Sequence, residues 1–167
     1  GGGGGRVGVH VLSTNVPAQI TLNASGGTNS GSACGGGAGT VFVNSSTQQT
    51  LLIDNADANV DSSTYTPLPA DEGLGGVDLS VVRNSHVQIT TYRARRLRLD
   101  SSSEISGDEL TVTAHEASIE GAVTSTSLAR MNFATNLDVA STASLECASI
   151  FITASSLSIH GDVISTS

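Results

Sequence analysis

From Leu97 onward the chain sets down its apolar residues in short alternating groups: Leu97-x-Leu99, then Ile105, then Leu110-x-Val112, then Ala117-x-Ile119. A period of two over so few residues predicts short β-strands, because side chains alternate across a pleated backbone. The runs are too short for helices, and the β-branched residues, Ser and Thr around them suit a sheet. Breaks are expected at Ser101–Ser103, Gly107-Asp108, His115-Glu116 and Gly121.

The pattern then returns. Offset by 40, Leu97–Ser127 lies on Leu137–Ser167 without a gap, and 11 of the 31 pairs are identical. The identities concentrate in Ser-Ile-x-Gly-x-Val-x-Ser-Thr-Ser, which ends both copies. Where identity fails, apolar character is kept: Leu99/Val139, Ile105/Leu145, Leu110/Ile150 and Val112/Ile152. A repeat that preserves inward-looking positions marks a stacked architecture in which each layer buries its neighbour. The expected fold is all-β: a parallel β-helix (β-solenoid) of about 20 residues per rung, with a double-rung repeat of about 40 in the C-terminal half. Leu97, Leu99, Ile105, Leu110, Val112 and Ile119 should point inward, in column with Leu137, Val139, Leu145, Ile150, Ile152 and Ile159.

The N-terminal half has a different texture. Its candidate strands are Arg6–Val11, Gln19–Asn23, Gly39–Asn44, Thr50–Asp54 and Val77–Val82, separated by glycine tracts at 1–5 and 35–37. These glycines are read as corners, where they allow positive φ and close backbone approach. The organisation is one continuous domain: glycine-rich early rungs over 1–55, a polar inserted loop over 56–76, and regular rungs over 77–167. The chain opens inside a glycine tract and stops in mid-pattern, so it is expected to be a piece of a longer protein with more β-structure beyond it.

Composition agrees with a thin core. Three Phe, two Tyr and no Trp cannot fill a thick one, yet hydrophobic residues make up 38% and charged residues only 13%, unlike a disordered tail. The net charge of −8, with no lysine, gives little electrostatic reason to bind nucleic acid or an anionic membrane. No apolar run approaches the ~20 residues of a membrane helix, so membrane insertion is not expected. Cys34 and Cys147 have no metal-type spacing, and sequence leaves their pairing open.

The sequence offers no catalytic constellation. His10, His86, His115 and His160 lie in or beside separate strands, and no glycine-flanked nucleophile occurs. Glycoside hydrolysis needs two carboxyls facing one groove. Of Asp100, Glu104, Asp108, Glu109, Glu116 and Glu120, only Glu104 and Glu116 are expected near one another. Asp57, Asn59 and Asp61 alternate oxygen ligands as a calcium loop does, but the EF-hand glycine and glutamate are replaced by Ser62 and Leu68. Ca²⁺ is thus the one candidate ion, against a solvated polar loop; no other cofactor is expected. Thr111-x-Thr113 and Thr124-x-Thr126 do not continue as an ice-binding ladder. Arg93, Arg95, Arg96 and Arg98 form the one basic cluster, suited either to local pairing with acidic residues of adjacent rungs or to an inter-subunit contact. Asn23-Ala-Ser and Asn44-Ser-Ser are glycan acceptor sequences if the chain is secreted.

Three segments carry a resemblance: Gly-Gly-Gly-Gly-Arg-Val (2–7), Gly-Gly-Gly-Ala-Gly-Thr-Val-Phe-Val (35–43) and Leu-Leu-Ile-Asp-Asn (51–55). Together they resemble glycine-rich parallel β-helix segments of very large secreted or cell-surface proteins of protists and algae, among them mastigoneme-type structural proteins of flagellar hairs. The resemblance covers about residues 1–55. It implies a β-helix in an extracellular or cell-surface setting and brings no catalytic residues. The expected role is a non-catalytic structural or adhesive segment of a glycosylated solenoid. Its partners would be copies of itself or other subunits of a filament or coat. The alternative is a carbohydrate-active enzyme, a polysaccharide lyase or hydrolase, on the same scaffold.

Overall fold

The computed structural model describes residues 3–11, 22–27, 36–58, 64–68 and 76–166. They contain eleven strands: β1 (Arg6–His10), β2 (Gly39–Asn44), β3 (Gln49–Asp54), β4 (Thr66–Pro67), β5 (Val77–Val82), β6 (His86–Gln88), β7 (Thr91–Leu99), β8 (Glu104–Ile119), β9 (Ala122–Val139), β10 (Ser144–Ile159) and β11 (Asp162–Ser165). From β5 on, every pairing is parallel, and the chain winds as a β-solenoid. Each rung has three sides. The first carries β3, β5 and residues 96–99, 116–119, 136–139 and 156–159. The second carries β4, β6, residues 104–107, 122–125 and 144–147, and β11. The third carries 91–94, 109–114, 128–133 and 149–154.

Register explains why the repeat is two rungs long. Leu99, Ile119, Val139 and Ile159 follow one another at steps of 20 on the first side. Between these steps the corner residues are distributed in two ways. The rung after Leu99 spends four residues on its first corner (100–103) and one each on the others, Asp108 and His115. The next spends two at every corner: Glu120-Gly121, Thr126-Ser127 and Ala134-Thr135. The third reverts to four (140–143), then Ala148 and Ser155 alone. Rung length is constant while corner lengths alternate, so like meets like only after 40 residues.

Core volumes alternate with the corners. On the third side Ala129 stands between Leu110 and Ile150, while Phe133 stands between Ala114 and Ala154. A small residue is offset by a large one within the same rung, as dense packing in a narrow coil demands. Leu97, Leu99, Ile105, Leu110, Val112, Ile119, Leu137, Val139 and Leu145 are buried, in the columns read from the sequence. Ile150 and Ile152 pack against them half-buried, and Ile159 in the last described turn is 38% exposed.

The abundance of Ser and Thr has its reason at the bends. A ladder interrupted at a corner leaves a carbonyl without its N–H, and a hydroxyl of the adjoining rung supplies the missing donor. Thr142 donates to the Glu120 carbonyl at 2.8 Å, and Ser125 and Ser127 both to that of Asp108 at 2.8 Å. At the third corner Thr135 donates to the His115 carbonyl and Ser155 to that of Ala134, each at 2.8 Å. The Ser165 hydroxyl meets the Ala148 carbonyl at 3.2 Å, repeating the part of Ser125.

The N-terminal part departs from the expected succession of rungs. β2 and β3 form an antiparallel hairpin closed by Ser45, whose hydroxyl accepts the Gln48 N–H at 3.0 Å. β1 then pairs in parallel with the outer edge of β2. Four residues, 45–48, reverse the chain; they are too few for the other two sides of a rung. Of the expected strand Gln19–Asn23, residues 19–21 lie outside the described ones, and Leu22 and Asn23 are not in a strand. Within the inserted segment 56–76, β4 pairs with β6, and Leu68 joins the core. Of the two uses expected of the glycines, positive φ is not taken up: no described glycine has it. They serve close approach, since a Cβ on Gly39 would meet the carbonyl oxygens of Gly5 at 2.0 Å and Ala24 at 2.4 Å. Positive φ falls instead on Ala56, Asp57, Arg83 and Asn84, at the first corner.

Candidate interaction surfaces

The arginine cluster does not form one patch. Alternation along β7 and the bend at Arg95 send Arg93 to the third side, Arg95 to the corner, and Arg96 and Arg98 to the first side. Asp78 on β5 is the register partner of Arg96 and draws in two of the four. Arg95 donates to it through Nε at 2.8 Å and Nη2 at 2.7 Å, and Arg96 through Nε at 3.1 Å and Nη2 at 2.9 Å. Gln48 adds a fifth donor at 2.8 Å. Burial pushes the Asp78 carboxyl up, but the two guanidinium groups outweigh it and hold the pKa below the ordinary value; Arg95 is raised in return. Arg96 also reaches Glu116 at 3.8 Å on the following rung. Local pairing thus accounts for Arg95 and Arg96. Among the described residues Arg93 and Arg98 have no ion-pair partner.

A second charged group lies at the first corner. Arg83, in the left-handed region at φ 54°, forms an ion pair with Asp54, and its N–H donates to the Asp100 carboxylate at 2.6 Å. These contacts hold a conformation that costs an L-residue about 1–2 kcal/mol. Burial raises the Asp100 carboxyl, yet bonds from Arg83, Ser103 and Ser102 bring it below the ordinary value. Sequence reasoning missed Asp54 and Asp78, because an acid beside an apolar run gains meaning only once its rung neighbour is known.

Glu104 and Glu116, expected close together, are on different sides of the coil: Glu104 opposite His86 and Ala122, Glu116 opposite Arg96 and Asn136. The bend at His115 turns the chain away between them. Asp57 occupies the positive-φ turn after β3, while Asn59 and Asp61 lie outside the described residues. Among the described residues no three His, Cys, Asp or Glu side chains converge. Asn23 is exposed, and its Oδ1 accepts the Ser25 N–H at 2.8 Å. Asn44 is half-buried between β1 and β3, near His10 Nδ1 at 3.5 Å and Gln49 Nε2 at 3.3 Å. Cys147 is free and buried, which raises its thiol pKa; Cys34 lies outside the described residues.

The second side bears a groove of about 350 Å³. Ser106, Thr124 and Glu146, register partners on successive rungs, form one wall, and Asp108 and Tyr65 also line it. Gly107 lines it where the second side ends. No protein-family model, curated protein or solved structure matches the chain.

Proposed function

We propose that the chain is a non-catalytic structural segment of an extracellular, glycosylated β-solenoid protein that assembles into a filament or surface coat, of the kind found in flagellar hairs. The observation that carries this reading is the uniform coil. From Val77 to Thr166 the rungs keep nearly constant length, no connection exceeds four residues, and hydroxyl–carbonyl bonds tie rung to rung at all three corners. Such a rod spans distance at about 4.8 Å per rung. Loops, which usually carry binding and catalytic groups, are kept to a minimum in it. The exposed Asn23 and the resemblance over residues 1–55 support the extracellular setting.

The alternative, a carbohydrate-active enzyme, is favoured by the groove, where Asp108 and Glu146 both contribute carboxylates. Incubation with a panel of neutral and acidic polysaccharides, assayed for new reducing ends and unsaturated products, separates the two. The structural reading expects no cleavage, with elongated particles in electron micrographs. Cleavage abolished by Glu146→Gln would overturn it in favour of the enzyme.

A further inference from the structure

We infer that the third side of one copy packs laterally against the second side of another, with the solenoid axes parallel and the rungs in register. The inference rests on the structural reading and names the contact through which assembly proceeds.

The two sides differ in charge. The second side carries Glu104, Glu146 and Asp162 and no arginine; the third carries Arg93 and Arg130, with Glu109 alone at its margin. Neither Arg93 nor Arg130 has an ion-pair partner among the described residues, whereas Arg83, Arg95 and Arg96 do. Both arginines are exposed.

Their spacing matches as well. Register leads from Arg93 through Thr113 to Asn132, and Arg130 precedes Asn132 by two residues. It leads from Glu104 through Ala122 to Ser144, and Glu146 follows Ser144 by two. Each pair therefore spans two rungs, about 9.6 Å, and two residues along the strands, about 6.6 Å, in opposite senses. Turning one surface over to face the other reverses the strand direction and keeps the axis. The two diagonals then superpose, setting Arg93 against Glu104 and Arg130 against Glu146.

The next rung fixes the polarity. Phe151 is the register partner of Arg130, and Ile164 is the register partner of Glu146. Both point outward, 62% and 44% exposed. In the parallel arrangement they meet, burying an aromatic ring against an aliphatic side chain. With the axes reversed the charges still match, but Phe151 falls opposite His86. The row containing Glu146 lines the second-side groove, which receives the row of Arg130 and Phe151. Because the two surfaces are different, the contact repeats from copy to copy, closing as a ring or continuing as a sheet.

Sedimentation velocity of the full chain at about 0.05 M and about 0.5 M salt reads the contact, since exposed charge pairs weaken as salt screens them. Expected are oligomers at low salt that dissociate at high salt. Arg130→Glu and Glu146→Arg should each weaken association roughly tenfold or more through like-charge opposition. Mixing these two variants should restore it, because their reversed surfaces complement each other. Circular dichroism verifies that each substitution, at exposed Arg130 and at half-buried Glu146, leaves the fold intact. Association unchanged by either reversal, or a chain monomeric at every concentration in low salt, would overturn the lateral contact. End-to-end filaments indifferent to charge reversal would do the same and leave the structural reading standing. Polysaccharide cleavage would remove that reading while the sedimentation result still decides the contact.

Discussion

Gly121 lies directly against Ser103: a Cβ on Gly121 would stand 2.2 Å from the Ser103 carbonyl oxygen. The Asp100 carbonyl crowds the same point at 2.3 Å. The two-residue corner is nested under the four-residue corner of the preceding rung, and both obstacles are backbone. Gly161 repeats the relationship with Ala140 and Ala143, each at 2.5 Å. Gly121→Ala should therefore cost about 2–3 kcal/mol, at the upper end of overpacking. Gly8→Ala, where nothing lies within 4 Å, should stay within about 0.5 kcal/mol. Urea denaturation of both checks this, and equal midpoints would refute the nesting.

Phe133 fills the space left by Ala114 and Ala154 on either side, and Ala129 makes room in the same rung. Phe133→Ala should cost about 3–5 kcal/mol. Adding Ala129→Leu gives this rung the volume order of its neighbours, which place Leu110 or Ile150 at that point. A double-mutant cycle should then show coupling, with Ala129→Leu harmful in the parent and less so beside Phe133→Ala. Strict additivity would show that the alternation of volumes is incidental.

The solenoid was legible in the sequence because apolar columns and the corner glycines repeat at a fixed offset, and both are demands of stacking. The positions of Leu97, Ile105 and Leu145 required no structure. The hairpin from Gly39 to Asp54 was not legible, since each of its strands alone has the same alternation as a rung segment. Only the Ser45–Gln48 turn distinguishes them, through a hydroxyl bond the sequence does not announce. Likewise Arg93 to Arg98 read as one cluster. Whether neighbours on a strand share a side depends on where the chain bends, here at Arg95. Asp78 became part of the picture only when register set it beside Arg96.

Asn23 and Asn44 differ in access. Asn23 is exposed and, among the described residues, uses only its oxygen, leaving Nδ2 open. Asn44 holds its Nδ2 near His10 at 3.5 Å while its oxygen accepts from Gln49. Secreted material should therefore lose mass on glycosidase treatment, and Asn23→Gln should remove most of that loss. Intact-mass spectrometry decides it. An unchanged mass in material from a secretory host would refute the glycan and weaken the extracellular reading.

Asp78 ties stability to pH. Its carboxyl is buried among donors from Arg95, Arg96 and Gln48, and its folded pKa lies below that of a free carboxylate. A group depressed in the folded state binds its proton more readily when unfolded, so stability rises with pH through its titration. The contribution is complete above the unfolded value of about 3.9 and is lost as pH falls through the lower folded one. Asp78→Asn removes the carboxylate while keeping its shape, and leaves two arginines facing a neutral amide. At pH 7 it should cost about 1.5–3 kcal/mol, the range for charged hydrogen bonds. The deficit should narrow as pH drops below about 4, where the parent begins to lose the same interaction. Denaturation midpoints of parent and variant across pH 2.5–7, at one salt concentration, test it. Asp100 is also held below the ordinary carboxylate value, so the variant should itself still lose stability in acid. A gap between the two proteins that stays constant to the lowest pH would show that Asp78 acts through packing and not through its charge.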